Sequence, residues 1–550
     1  MSSFSTDGPN GPAPQGPDPA TLEERAELPL TDLGFARRLA AVYRDEIVYT
    51  PELGWGTWTG ACYQFGTGSK LDVRSVGFTL SELLREEVEV WAAAPVPQFE
   101  ARRLLEAELR KQKPAFMTEE EAETAVRAKR RREHEKAIEK VQAMNTVRNV
   151  VEAAEHLCRI EFESLDADPY YLAVTNGAID LRKAVDKVPK EADEDLRQAW
   201  REGWFMPANR KRRPSRACGV RFDPAAECPG WRRFISLVTS KPDRTPDPKM
   251  AAYLQRCCGR TVFGQNSPPA AFLLQGEGSN GKSTLMRRLA QVLGTYAAHV
   301  PIQMFLDTGE ERSSAAAAPD EVRLPGARLY LASEPKHGAR LSDAKIKQLA
   351  GGDRRTSRPN FGEFFEWEPV GHPMLAFNPM PTVAGADHGT HRRLLFVPFR
   401  VRLDDLPDDL RRDPEDVEAE LSAELPGILN WLIEGFVEVR QLGGVCPPED
   451  AQVFKEAMLD DSDPVGQFVA ECFESVPGAG VSMPDFHKVF PIWAEDNAQR
   501  ELRKTTVRKI MMQRGYQKKI TRGVHMWANL VWREEDHVDA LRTRAGCAPT

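Results

Sequence analysis

The stretch Ala271-Phe-Leu-Leu-Gln275 leads directly into Gly276-Glu-Gly-Ser-Asn-Gly-Lys-Ser-Thr284, and apolar residues then recur at helical spacing as far as Leu293. The apolar run predicts a buried strand, and the spacing of Leu285 and Leu289 predicts an amphipathic helix. Between them, the order G-x-x-x-x-G-K-S places a glycine-rich loop where a strand meets the amino end of a helix. The stretch therefore predicts an α/β fold with an anion site at this turn.

The residue types of the loop suit a nucleoside triphosphate. Glycines can adopt positive φ and turn several backbone N–H groups toward one point, and the helix amino end adds partial positive charge. Lys282 can reach the β- and γ-phosphates, and the hydroxyl of Ser283 can coordinate Mg²⁺. A chance glycine loop is the alternative, and the flanking strand and helix argue against it. The predicted nucleotide-binding residues are Gly276, Glu277, Gly278, Ser279, Asn280, Gly281, Lys282, Ser283 and Thr284.

Two polar residues follow further apolar runs. Glu334 follows Ala327–Ser333, and we expect it to hold the metal and polarise the attacking water from a strand next to the loop's own strand. Asn378 follows Pro373–Phe377, and we expect its amide to sense the γ-phosphate. The structural alternatives are an exposed strand-end glutamate and an asparagine that begins a turn.

Arg392 and Arg393 precede the apolar run Leu394–Val397. Two guanidinium groups at the start of a strand can be ordinary surface charges. They can also act as arginine fingers, which stabilise the transferred charge in the site of a neighbouring subunit. We predict that one of the two is such a finger, and the pattern does not distinguish between them.

Composition limits the class of protein. Of 550 residues, 41% are hydrophobic and 28% are charged, as in soluble globular proteins, and charges interrupt every long apolar run. None of the nine cysteines forms a CxxC pair, so neither a disulfide framework nor a standard zinc site is expected, and a cytoplasmic location is predicted. The net charge of −8 still permits a local basic patch.

Such a patch occurs near the C-terminus. Residues 500–522 contain nine lysines and arginines and one acidic residue, Glu501. A helical run precedes this segment and the β-like run Val524–Trp532 follows it. The order predicts a winged-helix-like unit with its basic helix on duplex DNA, and a solvated helix in a structural cap is the alternative. The predicted contacts are Lys504, Arg508, Lys509, Lys518 and Lys519.

Taken together, the motifs resemble the superfamily-3 helicase module of AAA+ ATPases, and more closely the C-terminal half of phage, plasmid and poxvirus helicase-primase proteins. The stretches that carry the likeness are 176–182, 222–229, 276–284, 327–334, 345–353 with Arg358, 377–381 and 391–399. The resemblance implies a homo-oligomeric, hexameric ring that uses ATP and Mg²⁺ to move 3′→5′ along single-stranded DNA in its central channel. A separate primase or polymerase is a further implied partner, and no membrane is involved.

The resemblance also implies a DNA-contacting hairpin between Glu334 and Asn378. Its expected DNA contacts are Lys345, Lys347, Arg354, Arg355 and Arg358, while Phe361, Phe364 and Phe365 could stack on bases or fill the hairpin core. Three positions depart from the family pattern: Ser333 replaces an acid, Phe377 replaces a threonine, and His372 stands where a lysine is common.

The expected fold class is an α/β AAA+ P-loop NTPase core with a mixed α+β N-terminal helicase-associated region and a C-terminal winged-helix-like domain. The expected segments are a disordered tail (1–28), the N-terminal region (29–221), the ATPase core (222–402), a helical connector (403–460), the winged-helix-like unit (461–535) and a second tail (536–550).

We expect an ATP-dependent DNA helicase of phage or mobile-element replication. Two alternatives remain open, namely an origin-binding initiator ATPase, and a ring ATPase that remodels protein or packages DNA without separating strands. The region before the helicase shows no polymerase module, so primer synthesis by this chain alone is not expected.

Overall fold

The computed structural model describes most of the chain as two compact units, namely residues 1–167 with 209–215, and residues 168–208 with 216–550. The described residues are 22–43, 45–66, 73–93, 95–109, 118–186, 194–307, 320–333, 340–358, 364–378, 382–383, 388–407, 411–461, 464–497, 502–513 and 515–547.

The first unit packs helices around a small antiparallel sheet of order β1-β2-β3. Its described elements are α1 (Leu22–Ala26), α2 (Asp32–Tyr43), β1 (Ile47–Thr50), β2 (Gly54–Trp58), β3 (Tyr63–Phe65), α3 (Val73–Ala93), α4 (Gln98–Leu109), α5 (Glu119–Lys140) and α6 (Met144–Leu157). The Thr118 side chain accepts from the Glu121 backbone N–H and starts α5. Helix α1 lies inside the predicted disordered tail, and Ala26 is buried, so ordered structure begins earlier than expected.

The second unit contains a five-stranded parallel sheet with helices packed against it. Its helices up to residue 461 are α7 (Leu181–Val185), α8 (Glu194–Glu202), α9 (Pro229–Val238), α10 (Pro248–Gly259), α11 (Lys282–Leu293), α12 (Asp343–Ala350), α13 (His388–Arg393), α14 (Pro414–Ala423), α15 (Leu425–Leu442) and α16 (Glu449–Asp461). Its strands there are β4 (Tyr171–Val174), β5 (Gly177–Asp180), β6 (Phe205–Met206), β7 (Ala271–Gln275), β8 (Ala297–His299), β9 (Leu329–Ser333), β10 (Arg340–Leu341), β11 (Arg355–Ser357), β12 (Phe365–Trp367), β13 (His372–Phe377), β14 (Thr382–Val383) and β15 (Leu394–Pro398).

The strand order of the large sheet is β15-β7-β13-β9-β8, and all its pairings are parallel. The predicted strand, loop and helix at 271–293 are confirmed as β7 and α11. The expectation that the strand leading to Glu334 adjoins the loop's strand is wrong. After β9 the chain leaves the sheet and returns as β13, which lies between β9 and β7, so Asn378 follows the strand next to the loop.

The division into units differs from the predicted boundary at residue 222. The β4–β5 hairpin belongs to the second unit, where the Ala173 N–H donates to the Tyr296 hydroxyl at 3.2 Å and the Cys218 N–H donates to the Ala173 carbonyl at 2.9 Å. Helix α15 also differs from the expected connector, because its apolar face, including Ile428 and Phe436, is part of the main core. Segments distant in sequence thus complete the core around the sheet.

The C-terminal part of the second unit has its own hydrophobic core. Its elements are α17 (Pro464–Cys472), β16 (Phe473–Ser482), α18 (Met483–Asp496), α19 (Lys504–Gln513), β17 (Lys518–Thr521), β18 (Val524–Trp532) and α20 (Asp536–Arg544). The strand order is β16-β18-β17, and the predicted basic helix and terminal hairpin are present. Helix α20 lies in the predicted second tail, and its buried Val538 and Leu541 join this core.

A partly buried ion pair holds the β11–β12 hairpin. The Arg355 guanidinium donates to both Glu321 carboxylate oxygens, at 2.7 and 3.2 Å. The Ser357 hydroxyl also donates to Glu321 at 3.2 Å, and the Trp367 indole N–H donates to Ser357 at 2.8 Å. Because Glu321 lies shortly before β9, this chain of contacts ties the hairpin to the segment that leads into the central sheet.

Among the described residues, no helix has the length and apolar character needed to cross a membrane.

We expect Glu321→Gln to loosen the hairpin, since it leaves the half-buried Arg355 guanidinium without its charged partner. The expected loss in the free energy of unfolding is about 1–3 kcal/mol, with faster amide hydrogen exchange in β11 and β12. Arg354→Ala is the matched control, because Arg354 makes an exposed contact of 3.6 Å with Glu366. Equal exchange in the two variants would show that Glu321 does not hold the hairpin.

Candidate nucleotide-binding site

The loop between β7 and α11 adopts a conformation that requires glycine. Gly278 has φ +103° and Gly281 has φ +85°, both in the left-handed region. A Cβ atom on Gly276 would lie 1.9 Å from Nδ2 of Asn280 and 2.6 Å from the carbonyl oxygen of Phe399. The loop is therefore closed tightly at the carboxyl end of β7 and exposes Ser279 at its tip.

Lys282 is the buried cation at this turn. Its side-chain ammonium donates to the Gly276 carbonyl at 2.7 Å and to Oδ1 of Asn280 at 2.9 Å. Burial lowers the pKa of the Lys282 ammonium to about 8. The lysine is thus held within the loop at the amino end of α11, where an entering phosphate could replace the two oxygen acceptors.

The loop places a hydroxyl ligand next to this cation. Ser283 is exposed in the first turn of α11, directly after Lys282. In the described part of the chain, no group of three or more His, Cys, Asp or Glu residues could hold a metal ion.

Asn378 lies at the same edge of the sheet as the loop. Phe377 pairs with Gln275, and the Gly276 N–H donates to the Phe377 carbonyl at 3.3 Å, so Asn378 follows directly beside the loop. Its side chain is exposed. Glu334 lies outside the described residues, but Ser333 pairs with Ala376, so β9 ends at this edge one strand farther away. The carboxyl ends of β7, β13 and β9 thus share the edge of the sheet that carries the loop.

Arg392 and Arg393 lie at the opposite edge. They end helix α13, and Leu394, the next residue, pairs with Ala271, the first residue of β7. About 13 Å of strand therefore separates them from the loop of the same chain. Arg392 is exposed, and Nε of the half-buried Arg393 has no hydrogen-bond partner among the described residues. Neither arginine is placed to serve its own nucleotide loop.

Short hydrogen bonds and ion pairs bind three of the five predicted DNA-contacting cations, Lys345, Lys347 and Arg355, within the protein. The Lys345 ammonium donates to the carbonyls of Leu306, at 2.7 Å, and Gln303, at 3.2 Å. Lys347 pairs with Asp343 at 2.8 Å, and Arg355 is bound by Glu321 as described above. These contacts make the three residues structural in this conformation.

The other two cations lie on the surface of the hairpin. Arg354 is 72% exposed, and the Arg358 guanidinium lies 5.1 Å from the centre of the Phe364 ring. Phe364 is exposed and Phe365 is buried, so only the former can meet a base, while Phe361 lies outside the described residues. His372 is completely buried, and burial lowers its pKa well below the usual range, which excludes it as a nucleic-acid contact in this fold.

The C-terminal cations are also not equivalent. Lys504 and Arg508 are exposed on α19, and Lys518 begins β17. The Lys519 ammonium is occupied by the carbonyls of Gly478, at 2.6 Å, and Ala479, at 2.5 Å. The side chain of Lys509 lies outside the described residues.

Sequence reasoning missed two residues that shape these sites. Asn280 was expected only as a loop member, although its side chain both holds Lys282 and donates to Phe399 at 3.4 Å. Glu321 gave no signal, because its partner Arg355 lies 34 residues away and only the fold brings them together.

Comparison with known proteins finds similarity to viral proteins named helicase and primase. The family described as "D5 N terminal like" matches residues 36–240. The putative helicase L207/L206 of Acanthamoeba polyphaga mimivirus is 27% identical over 266 residues, which is 46% of this chain and 27% of that protein. The putative primase C962R of African swine fever virus is 24% identical over 267 residues, which is 48% of this chain and 25% of that protein.

The chain thus spans about a quarter of the length of these curated relatives. Among solved structures, the apo C-terminal region of NrS-1 matches with a TM-score of 0.34 and 10% identity, covering 56% of this chain and 76% of that chain. The sequence matches confirm the predicted resemblance to viral helicase and primase proteins, while the superfamily-3 assignment remains a prediction.

Proposed function

We propose that the chain is an ATP-dependent DNA helicase of phage or mobile-element replication, built on an AAA+ core of the superfamily-3 type. The observation that carries the proposal is the buried Lys282 ammonium in a glycine loop between a parallel strand and a helix. The similarity to viral proteins named helicase and primase supports a role in replication. The chain would act as a homo-hexameric ring that moves 3′→5′ on single-stranded DNA.

Each residue of the site has a role in hydrolysis. The loop N–H groups, the α11 amino end and Lys282 bind the β- and γ-phosphates. Ser283 and Glu334 hold Mg²⁺, which neutralises the charge that develops on the phosphates. Asn378 contacts the γ-phosphate from the neighbouring strand, and Glu334 orients the attacking water.

The position of Arg392 and Arg393 supports catalysis across a subunit seam. Because the two arginines lie at the opposite edge of the sheet from the loop, they can complete a site only in another copy. A guanidinium from the adjacent protomer would stabilise the transferred charge there. On this proposal the ring is the unit of catalysis, and a single chain is incomplete.

Arg354 and Arg358, which flank β11, are the hairpin cations proposed to contact DNA. The exposed side chain of Arg354 supports contact with backbone phosphates in a central channel, independent of sequence. The anchor at Glu321 would connect these contacts to the segment that leads into β9.

We expect Lys282→Ala to abolish ATP hydrolysis and strand separation. Lys282→Arg keeps a positive charge at this position at every accessible pH, because arginine stays protonated. The variant therefore shows whether titration of Lys282 causes a pH dependence of binding. In the unliganded native protein the Lys282 pKa is about 8, so affinity for a non-hydrolysable ATP analogue should fall as pH rises through that value. The fall should be absent in Lys282→Arg. An equal fall in both proteins, measured by calorimetry, would show that another group titrates.

Mixing two inactive variants tests the shared seam. Arg392→Ala with Arg393→Ala in one chain should still bind nucleotide but lose hydrolysis, about 10³-fold or more. Mixing this chain with a second chain that carries only Lys282→Ala should restore part of the activity. Some seams then bring an intact loop from one chain together with intact arginines from the other. No recovery in co-assembled rings would contradict catalysis across the seam.

A strand-displacement assay distinguishes helicase activity from packaging or remodelling. We expect single-stranded DNA to stimulate hydrolysis and a forked duplex to be unwound from its 3′ tail. Hydrolysis without strand displacement, on any tailed substrate, would contradict the proposed helicase function while leaving the ATPase site intact.

A further inference from the structure

The basic helix α19 carries two exposed cations on one face. Lys504 and Arg508 are four residues apart, so their side chains lie on the same side of the helix. Val507 and Met511 are 1% and 0% exposed and point into the C-terminal core. The packing of α19 therefore fixes which way its cations face.

Strand β17 brings a third cation beside this helix. Lys518 pairs with Trp527 of β18, and Trp527 is fully buried in the same core as Val507 and Met511 of α19. His487 is half-buried on α18, where its neighbours Phe486 and Val489 pack in the same core as Val507 and Met511 of α19. We call these four residues the α19 cluster: His487, Lys504, Arg508 and Lys518.

The α19 cluster has positive charge without a carboxylate partner. Among the described residues, no acidic oxygen lies within ion-pairing distance of its Lys504, Arg508 or Lys518. Burial first, and then the charges of Lys504 and Arg508, lower the pKa of His487. Desolvation first, and then Arg508, lower the pKa of Lys518. Like charges held together in this way create a local positive potential that attracts an anion.

Neighbouring cations show the contrast. On the helix of His487, Lys488 lies 3.9 Å from Asp485, so the two charges adjacent to the histidine offset each other. On the strand of Lys518, the Lys519 ammonium is bound by the carbonyls of Gly478 and Ala479. The α19 cluster thus contains only some of the cations of this basic region.

We propose that the α19 cluster binds backbone phosphates of DNA and that His487 takes up a proton when it does so. The cations come from a helix and a strand on an open surface, which suits a polyanion better than a small ion. The choice of DNA rests on the proposed function, whereas the phosphate chemistry rests on the cluster itself. Duplex DNA is the expected form, because a helix face with flanking strand contacts fits a groove and its phosphates.

The sign of the proton effect follows from the charges. In the free protein His487 is neutral at neutral pH, because burial and two cations disfavour the imidazolium. A bound phosphate adds negative charge and favours the imidazolium. Binding therefore takes up a proton, and affinity should increase as pH falls toward the lowered pKa of His487 in the free protein.

Fluorescence anisotropy of labelled oligonucleotides with the full chain, without nucleotide, tests the site. We expect Lys504→Ala, Arg508→Ala and Lys518→Ala each to weaken duplex binding about tenfold and to reduce the salt slope by about one. Lys488→Ala is the matched control, since it removes one exposed but paired charge nearby and should change affinity less than about twofold. Cluster variants that bind like this control would overturn the proposal.

His487→Gln tests the proton uptake. We expect this variant to bind like the native chain at alkaline pH and to lack the gain in affinity that the native chain shows as pH falls. A gain that persists in His487→Gln would overturn the role of the histidine. Circular dichroism and ATP hydrolysis should be unchanged in every cluster variant, which separates lost binding from lost folding.

Comparing duplex with single-stranded oligonucleotides identifies the form of DNA that binds. A larger effect of the variants on duplex than on single-stranded oligonucleotides supports duplex binding, and the reverse overturns the duplex assignment. These binding assays contain no nucleotide, so they test the α19 cluster separately from the helicase function. A chain that binds duplex through the cluster but does not displace strands would contradict the helicase function and would leave the cluster proposal in place.

Discussion

The burial of one ammonium group, that of Lys282, at the turn between β7 and α11 is the constraint on which the rest of the structure depends. Its charge is held by the Gly276 carbonyl and Asn280, and Asn280 in turn donates to Phe399 beyond β15. The Gly276 N–H donates to β13 on the other side. Any group that displaces these contacts therefore acts on both strands that flank the loop.

Parallel strands give the sheet two chemically different edges. The carboxyl edge carries the glycine loop and Asn378, and the amino edge carries Arg392 and Arg393. Side chains at the two edges cannot meet within one chain, because the length of β7 separates them. On the proposed function, Arg392 or Arg393 therefore acts in the site of another copy, and this geometric argument connects the site to assembly.

The local parts of this arrangement could be predicted from sequence, and the non-local parts could not. Strand, loop and helix at 271–293 are specified by neighbouring residues, so their pattern was sufficient. The insertion of β13 beside β7 depends on pairing between strands about 100 residues apart, as Met374 with Phe272 illustrates, which no local pattern encodes. The same reason explains Lys345, whose acceptors Gln303 and Leu306 precede it by 42 and 39 residues.

Native mass spectrometry of the full chain, recorded alongside its hydrolysis rate, tests the central claim most directly. With Mg²⁺ and a non-hydrolysable ATP analogue, the chain should assemble into a closed homo-oligomer of six copies. In ATP its rate per chain should fall on dilution as the seams come apart. A monomer that hydrolyses ATP at full rate at every dilution would contradict the claim that each site needs its neighbour.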